Sequence, residues 1–517
     1  PIVKGWGRHA PLVVLQRGGR NCRRISTRKH STVDFEEESQ KSHLDFTKRQ
    51  NNDRIGQAKQ QQLLESTKFS LAPMMDYTNR HFRHLVRLIS NKTLLYTEMV
   101  AANAIAYEGK LVGENNQEYV FRESYLDRFL GQGPIENPCV LQIGGSDPAR
   151  LYEAGKVLNA LMNQGSFDYT AINLNCGCPS SKVAGKGCFG AALMDDPHLV
   201  AQLTKTLHDA TEGKLPITVK CRIGIDSESK PFSKRTYCTT DAEQEEEYQS
   251  LCRFIEIVAA DGIVTDFQIH ARIAVLHKSF SPAKNRNIPP LKYHLIHRLV
   301  QDFPHLTFTL NGGITSLPQA QEQFQLCPSL KGIMVGRAWS AHPWSFSMTD
   351  HLLYGVPIHE MHCKNRVQVL EAFGKYADGE EAVWTSQLIR NFLNKAVCGL
   401  FAGEKNGKRF RIALDEYARM AKQYGEDGTP LDQQPLYSDL IMQAAVENLS
   451  PEVLTMSPEE SYAKFLWEEQ KKSGGTSISI VADWQASRKN REQPTDTSSS
   501  TQTAPNNNTT VAVSTCP

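Results

Sequence analysis

The residues best suited to chemistry stand at the ends of apolar, β-prone runs. The stretch 170–174 is one such run, and it stops abruptly at Asn175-Cys176-Gly177-Cys178-Pro179. That is the pattern of a buried strand delivering polar and thiol groups to its C-terminal end. A thiol placed there can serve as nucleophile, acid or metal ligand. Lys220 lies inside a second apolar run, 217–222, and burying an ammonium demands a partner. Gln142 and His270 end two more runs. A lone histidine in that place is more often a structural hydrogen bonder than a catalyst. Asn311-Gly312-Gly313 and Gly336-Arg337 close two others. Glycines let backbone N–H groups approach an anion closely, and an arginine adds fixed charge. Each glycine pair alone does no more than permit a tight turn. Both pairs at consecutive strand ends fit a phosphate site.

These groups need one scaffold. Between residues 69 and 345, eight strand patterns (69–73, 94–98, 140–143, 170–173, 217–222, 266–270, 307–311 and 332–335) alternate with helical ones such as 79–90, 148–163, 197–210 and 244–260. Eight β/α units in about 275 residues predict a closed parallel (β/α)8 TIM barrel, whose working face lies at the C-terminal strand ends. Gln142, Lys220, His270 and the two glycine loops then converge on one mouth. They form a polar cradle for a planar, phosphorylated cofactor of the flavin type, which needs donors around its ring and a cation near N1. After Trp344 the strand patterns cease and 364–376, 382–401 and 409–424 read as helices, an all-helical C-terminal domain. Residues 430–470 add helical stretches, with Pro451 and Pro458 placed where helices begin.

The ends of the chain differ from this middle. Residues 3–32 hold eight Lys or Arg and no acidic residue, the first being Asp34. That composition fits a mitochondrial or plastid transit peptide, with a disordered basic arm on a cytoplasmic protein as the alternative. Residues 33–66 are polar and Gln-rich and read as a linker that ends in a helix, so order is expected from about Phe69. The tail 487–517 is built of Ser, Thr, Asn and Gln and cannot bury enough surface to offset its entropy. The predicted organisation is therefore 1–66 transit peptide and disordered linker, 67–345 barrel, 346–425 helical domain, 426–486 helical extension and 487–517 disordered tail. A net charge of +2 imposes no global field. No apolar run reaches the roughly 20 residues that span a bilayer, so no membrane partner is expected. Twelve scattered cysteines form no framework, which suits free thiols in a reducing compartment.

Eight blocks, in order, carry a resemblance to the tRNA-dihydrouridine synthases. They are Ser70-Leu71-Ala72-Pro73-Met74-Met75-Asp76-Tyr77-Thr78-Asn79-Arg80, residues 95–99, 141–145, 173–179, 219–226, 269–272, Asn285-Arg286-Asn287-Ile288-Pro289-Pro290-Leu291, and 311–313. Each block is modest alone; the series, spanning about residues 69–415, is specific. The 285–291 block resembles the A-type branch, which acts on D-loop uridines at positions 20 and 20a. The resemblance implies an FMN-binding barrel, a helical tRNA-binding domain, NADPH as reductant and no obligate protein partner. It places Pro73, Met74 and Met75 along the FMN ring and Gln142, Lys220 and His270 on the ring or its side chain. Asn311, Gly312, Gly313, Gly336 and Arg337 fall at the phosphate. Asn175, Lys284 and Arg286 match tRNA-touching positions. Hydride would pass from the flavin to uracil C6, and Cys178 would deliver a proton to C5. A thiol suits that task because an ordinary pKa of about 8.5 leaves it mostly protonated at neutral pH. The base must leave the RNA stack to be reached.

Some points stay open in the sequence. Cys176, Cys178 and Cys188 all lie near the loop. The family often carries another cysteine where Ala192 stands here. No second ligand pair with zinc spacing accompanies these thiols, so no metal is expected. Lys395, Lys405, Lys408, Arg409 and Arg411 could track a phosphate backbone, or form an ordinary solvated face. The family's helical domain favours the first reading, on Lys395, Lys408 and Arg409. The stretch 226–248 exceeds the family pattern and follows strand five, which puts it on the catalytic face; it reads as a mobile loop with a solvated acidic helix start, with a contact to tRNA as the alternative. Two rival functions remain: a flavin barrel reducing a free pyrimidine or enone, and an RNA-binding protein with a dead barrel.

Overall fold

Eight short parallel strands close on themselves. In the computed structural model, which describes residues 12–14, 33–112, 118–122, 126–180, 189–226, 241–277, 279–383, 389–426 and 435–473, they are β1 (Phe69–Leu71), β2 (Leu95–Tyr96), β3 (Cys139–Gly144), β4 (Ala171–Cys176), β5 (Ile217–Arg222), β6 (Asp266–His270), β7 (Thr307–Asn311) and β8 (Gly332–Val335). Neighbours pair in sequence order from β2 to β8, and β8 pairs back onto β1. The ring is completed beside β2, where the Leu71 N–H donates to the Leu94 carbonyl at 2.9 Å and the Leu94 N–H to the Phe69 carbonyl at 3.0 Å. Closure leaves no strand edge exposed.

Alternation along the strands sorts the side chains. Leu141 and Ile143, Ile172 and Leu174, Val219 and Cys221, and Phe267 and Ile269 are all buried in the wall. The other set meets inside: Gln142, Asn173, Thr218 and Gln268 hydrogen-bond one another across the barrel. Leu94, Tyr96, Val140, Ala171 and Met334 form an apolar layer with Leu63. Helices α1 (Arg80–Ile89), α2 (Pro148–Asn163) and α3 (Pro197–Ala210) follow β1, β3 and β4. Each begins at a side-chain cap, from Asn79, Asp147 and Asp196 respectively, with proline opening α2 and α3. These caps limit the reach of the catalytic-face loops.

Residues 33–66 depart from the expected linker. They form one helix, Val33–Ser66, and its second half is built into the barrel floor. Leu63 is fully buried there, Lys48 and Asn52 donate to Glu212 at 3.0 and 3.2 Å, and Lys59 pairs with Asp168. A Cβ on Gly56 would stand 2.4 Å from the Gly213 carbonyl oxygen, so the helix lies directly on backbone. Order therefore starts well before Phe69. The basic stretch 3–32, apart from a strand at Leu12–Val14, and the tail 487–517 lie outside the described residues.

The helical domain follows as α4 (Arg366–Val383), α5 (Ile389–Val397), α6 (Gly407–Glu426), α7 (Tyr437–Asn448) and α8 (Pro451–Thr455). Helices α7 and α8 each bond back to the earlier helices. The Tyr437 hydroxyl donates to Asn394 at 2.9 Å, and Arg366 donates to the Val453 carbonyl at 3.0 Å. Barrel helix α1 docks against α4: Arg80 pairs with Glu380, His81 meets the Tyr376 hydroxyl at 2.9 Å, and His84 stacks on Tyr376 at 3.8 Å. Burial pushes His81 down to about 3 and His84 to about 4, so both rings are neutral where they pack. The helix Pro458–Ser473 opens at a proline, as its sequence predicts. Among the described residues no helix is long and apolar enough to cross a membrane.

Candidate active site

Cys178 stands on the loop leaving β4, half-buried, with its backbone held from two sides. Asn175 accepts the Gly177 and Cys178 N–H groups on one oxygen, each at 3.0 Å. The Cys178 carbonyl accepts the Ala191 N–H at 2.9 Å. Arg222, at the end of β5, donates Nε to the Gly177 carbonyl at 3.0 Å and Nη1 to the carbonyls of Ile273 and Asn285 at 2.9 and 3.2 Å. One buried guanidinium thus ties the cysteine loop to two loops beyond β6. Cys176 is different. It is fully buried in the wall, and desolvation raises its thiol well above the ordinary range. Cys188 lies outside the described residues.

Across the mouth stand Lys220 and His270. Lys220 donates to Asn311 Oδ1 at 3.0 Å, and Asn311 in turn donates to the Met334 carbonyl at 2.8 Å. Burial, with Arg222 alongside, pushes Lys220 down to about 8. His270 is held neutral by burial and by the charges of Arg222, Lys220, Arg272 and Arg337 around it. Its Nδ1 is buried without a hydrogen-bond partner among the described residues. Lys220, Arg222 and Arg286 also lie within electrostatic reach of Cys178. The mouth is thus a neutral imidazole and a thiol set among cations, an environment that attracts an anionic, electron-rich group.

The glycine loops leave room beside this cluster. Gly312 and Gly313 have φ of +110° and +78°. A Cβ on Gly312 would sit 3.2 Å from the His270 ring, and one on Gly336 would sit 3.3 Å from Met74 Sδ. The Tyr293 hydroxyl holds the Gly312 carbonyl at 2.6 Å. Arg337 is exposed and donates to Asn287 at 3.0 Å. An orphaned imidazole nitrogen, backbone opened by glycine and nearby cations are a donor set that fits a flavin carrying a phosphate. Replacing Gly313 with alanine should test the backbone part. The new Cβ would lie 2.4 Å from Leu291 and 2.7 Å from the Tyr293 hydroxyl at a positive φ. The expected result is a loss of ~2 kcal/mol in urea unfolding, together with loss of retained flavin.

The remaining predicted residues divide between rim and interior. Met75 and Tyr77 are 55% and 46% exposed on the loop after β1, and Pro73 and Met74 are half-buried behind them. Lys395, on α5, lies over the Tyr77 ring at 4.5 Å, which brings the helical domain to the barrel rim. Lys284 and Arg286 are exposed on the segment Pro282–Asn287. That segment is anchored by fully buried Asn285, which bonds both backbone groups of Val275. Lys408 and Arg409 are exposed on the first turn of α6. Gln142 is buried and accepts from Asn175 at 2.9 Å. Asn175 is only 9% exposed, and its amide is committed to the cysteine loop. The acidic start of the helix Asp241–Ala259 is not wholly solvated: Glu247 is 1% exposed and pairs with Lys292. Residues 227–240 of that insert lie outside the described residues.

The dihydrouridine synthase sequence profile matches residues 70–428, which takes in the barrel and most of the helical domain. The chain belongs to the dihydrouridine synthase family. Curated relatives agree. A tRNA-dihydrouridine(20/20a) synthase of Salmonella typhi is 36% identical over 376 residues, 72% of this chain and 96% of its own. That of Escherichia coli K12 is 37% identical over 69% of this chain and 88% of its own. That of Synechocystis is 35% identical over 68% and 90%. In this dihydrouridine synthase, Arg222 and Asn285 brace the loops around Cys178, a role the sequence did not disclose. The one available signal was an arginine ending the apolar run 217–222.

Proposed function

We propose that the protein reduces uridine to 5,6-dihydrouridine in the D-loop of tRNA, at positions 20 and 20a, with FMN as cofactor and NADPH as reductant. The observation that carries this reading is the placement of Cys178 on a loop pinned by Asn175 and Arg222, facing a mouth lined by Lys220, His270 and two glycine turns. FMN, when bound, supplies hydride to uracil C6. Gln142, Lys220 and His270 would hold the ring, while Asn311, Gly312, Gly313, Gly336 and Arg337 would hold the phosphate end. Cys178 delivers the proton to C5. Its loop cannot draw back, because the Gly177 carbonyl is held by Arg222 and both adjoining N–H groups by Asn175. The target base must leave the stack to reach this depth. Lys284, Arg286 and Lys395 line its way in, with the exposed Tyr77 ring under Lys395. Unmodified tRNA supplied with NADPH should gain dihydrouridine, read by mass spectrometry, while free uridine should not. Equal reduction of free uridine would point to a small-molecule reductase.

The helical domain adds the backbone contacts. Reversing the charge of Lys408 and Arg409 together should weaken tRNA binding by roughly tenfold at about 0.1 M salt and flatten its salt dependence. Unchanged affinity and slope would return these residues to an ordinary solvated face. The basic stretch 3–32 supports a mitochondrial or plastid address, which import of a reporter carrying that stretch would test.

A further inference from the structure

The inner faces of β3, β4 and β6 carry a continuous file of side-chain amides. It starts at the cysteine loop, where the Gly177 and Cys178 N–H groups donate to Asn175. Asn175 donates to Gln142 at 2.9 Å, Gln142 to Asn173 at 2.7 Å, and Asn173 to Gln268 at 2.8 Å. Gln268 donates to Asp266, the first residue of β6, which is 1% exposed. The second carboxyl oxygen of Asp266 is buried with no hydrogen-bond partner among the described residues.

The file has a fixed direction. Backbone N–H groups can only donate, which settles one end. The Asp266 oxygen facing Gln268 accepts, which settles the other. Every amide between has one satisfying orientation, because turning any of them sets donor against donor and acceptor against acceptor. A buried carboxyl with an idle oxygen is costly, and an apolar residue would fill the same inward-facing position without that cost. Burial pushes the Asp266 carboxyl up to about 7. In either protonation state one oxygen remains an acceptor for Gln268.

We propose that Asp266 is a positioning residue for the proton-donating loop: it anchors the amide file that orients Asn175 and thereby holds the Gly177–Cys178 backbone at the mouth. The consequence for catalysis rests on the reading of Cys178 as the acid; the mechanical link does not. Polarisation along the file strengthens each bond in turn, so loss of the anchor is felt at its far end.

The test uses the full chain loaded with FMN. Asp266→Leu removes the acceptor, Gln268→Met cuts the file one residue later, and Asp266→Asn keeps an oxygen in place. Four quantities are read: bound FMN, NADPH oxidation, single-turnover dihydrouridine formation on unmodified tRNA, and amide exchange at Gly177 and Cys178. In the first two variants, dihydrouridine formation per bound FMN should fall about tenfold and loop exchange should rise; Gln142 shares the file, so bound FMN should also fall, but by less than turnover, with NADPH oxidation per bound FMN within about twofold of the parent. Asp266→Asn should restore both. Should Asp266→Leu fail to fold, Gln268→Met carries the test. Parental exchange and turnover in the cut variants, or an Asp266→Asn variant as impaired as Asp266→Leu, overturns the proposal. Faster loop exchange alongside full uridine reduction by Cys178→Ala would support the anchor and retire Cys178 as the acid.

Discussion

Replacing Cys178 with alanine should lower uridine reduction by ~100- to 10,000-fold, the span typical of a lost general acid, while leaving flavin binding and NADPH oxidation intact. The geometry explains why the two should separate. What holds the loop is backbone: the Cys178 N–H on Asn175 and its carbonyl under the Ala191 N–H. Alanine keeps both bonds. The thiol is half-buried. Its removal should cost under ~1 kcal/mol of stability. Serine at the same position keeps the shape but is a far weaker acid, so it should recover little. A Cys178→Ala protein that reduces tRNA uridine at the parental rate would place the acid elsewhere.

Lys220→Met should weaken FMN binding by roughly ten- to a hundredfold at neutral pH, as expected for loss of a charge-assisted contact. It should also abolish a pH dependence that the parent shows. Lys220 is pushed down to about 8, first by burial and then by Arg222. Below that pH it presents a cation to the ring; above it the cation is lost. Parental FMN affinity should therefore decline as pH rises through about 8, and the methionine variant should be flat there. The stability consequence has the opposite sense. Between about 8 and the ordinary 10.5 the unfolded chain holds a proton on this lysine that the folded chain does not. Lys220 alone therefore adds stability to the flavin-free protein as pH climbs across that window, against the loss from buried thiols such as Cys139, Cys221 and Cys363, which are pushed up to about 12. Lys220→Met removes that gain. Titrating FMN affinity and urea stability from pH 6.5 to 10 checks both signs.

Much of this was legible because strand ends announce themselves. Asn175 to Pro179, His270, Asn311 to Gly313 and Gly336-Arg337 each break an apolar run abruptly. The barrel places all of those breaks on one face. Pro148, Pro197, Pro451 and Pro458 mark helix starts that the structure reproduces. Of the helix Val33–Ser66 only a helical end was legible; its full length and its docking were not, because its contact face consists of scattered residues (Asn52, Gly56, Lys59 and Leu63) within a polar, Gln-rich stretch. Without an apolar stripe a helix gives no periodic signal. Arg222 was hidden for another reason. Its partners are carbonyl groups of Gly177, Ile273 and Asn285, and backbone acceptors leave no trace in residue identity. Glu247 looked like one of a row of solvated acids, and only the fold reveals Lys292 opposite it.

A crystal structure of the FMN-loaded protein tests the central claim most directly. The ring should lie at the barrel mouth among Gln142, Lys220 and His270, its phosphate at the Gly312–Gly313 and Gly336–Arg337 turns, and the Cys178 sulfur should face the space above the ring. Flavin bound anywhere else, or a Cys178 sulfur turned away from the ring, would contradict it.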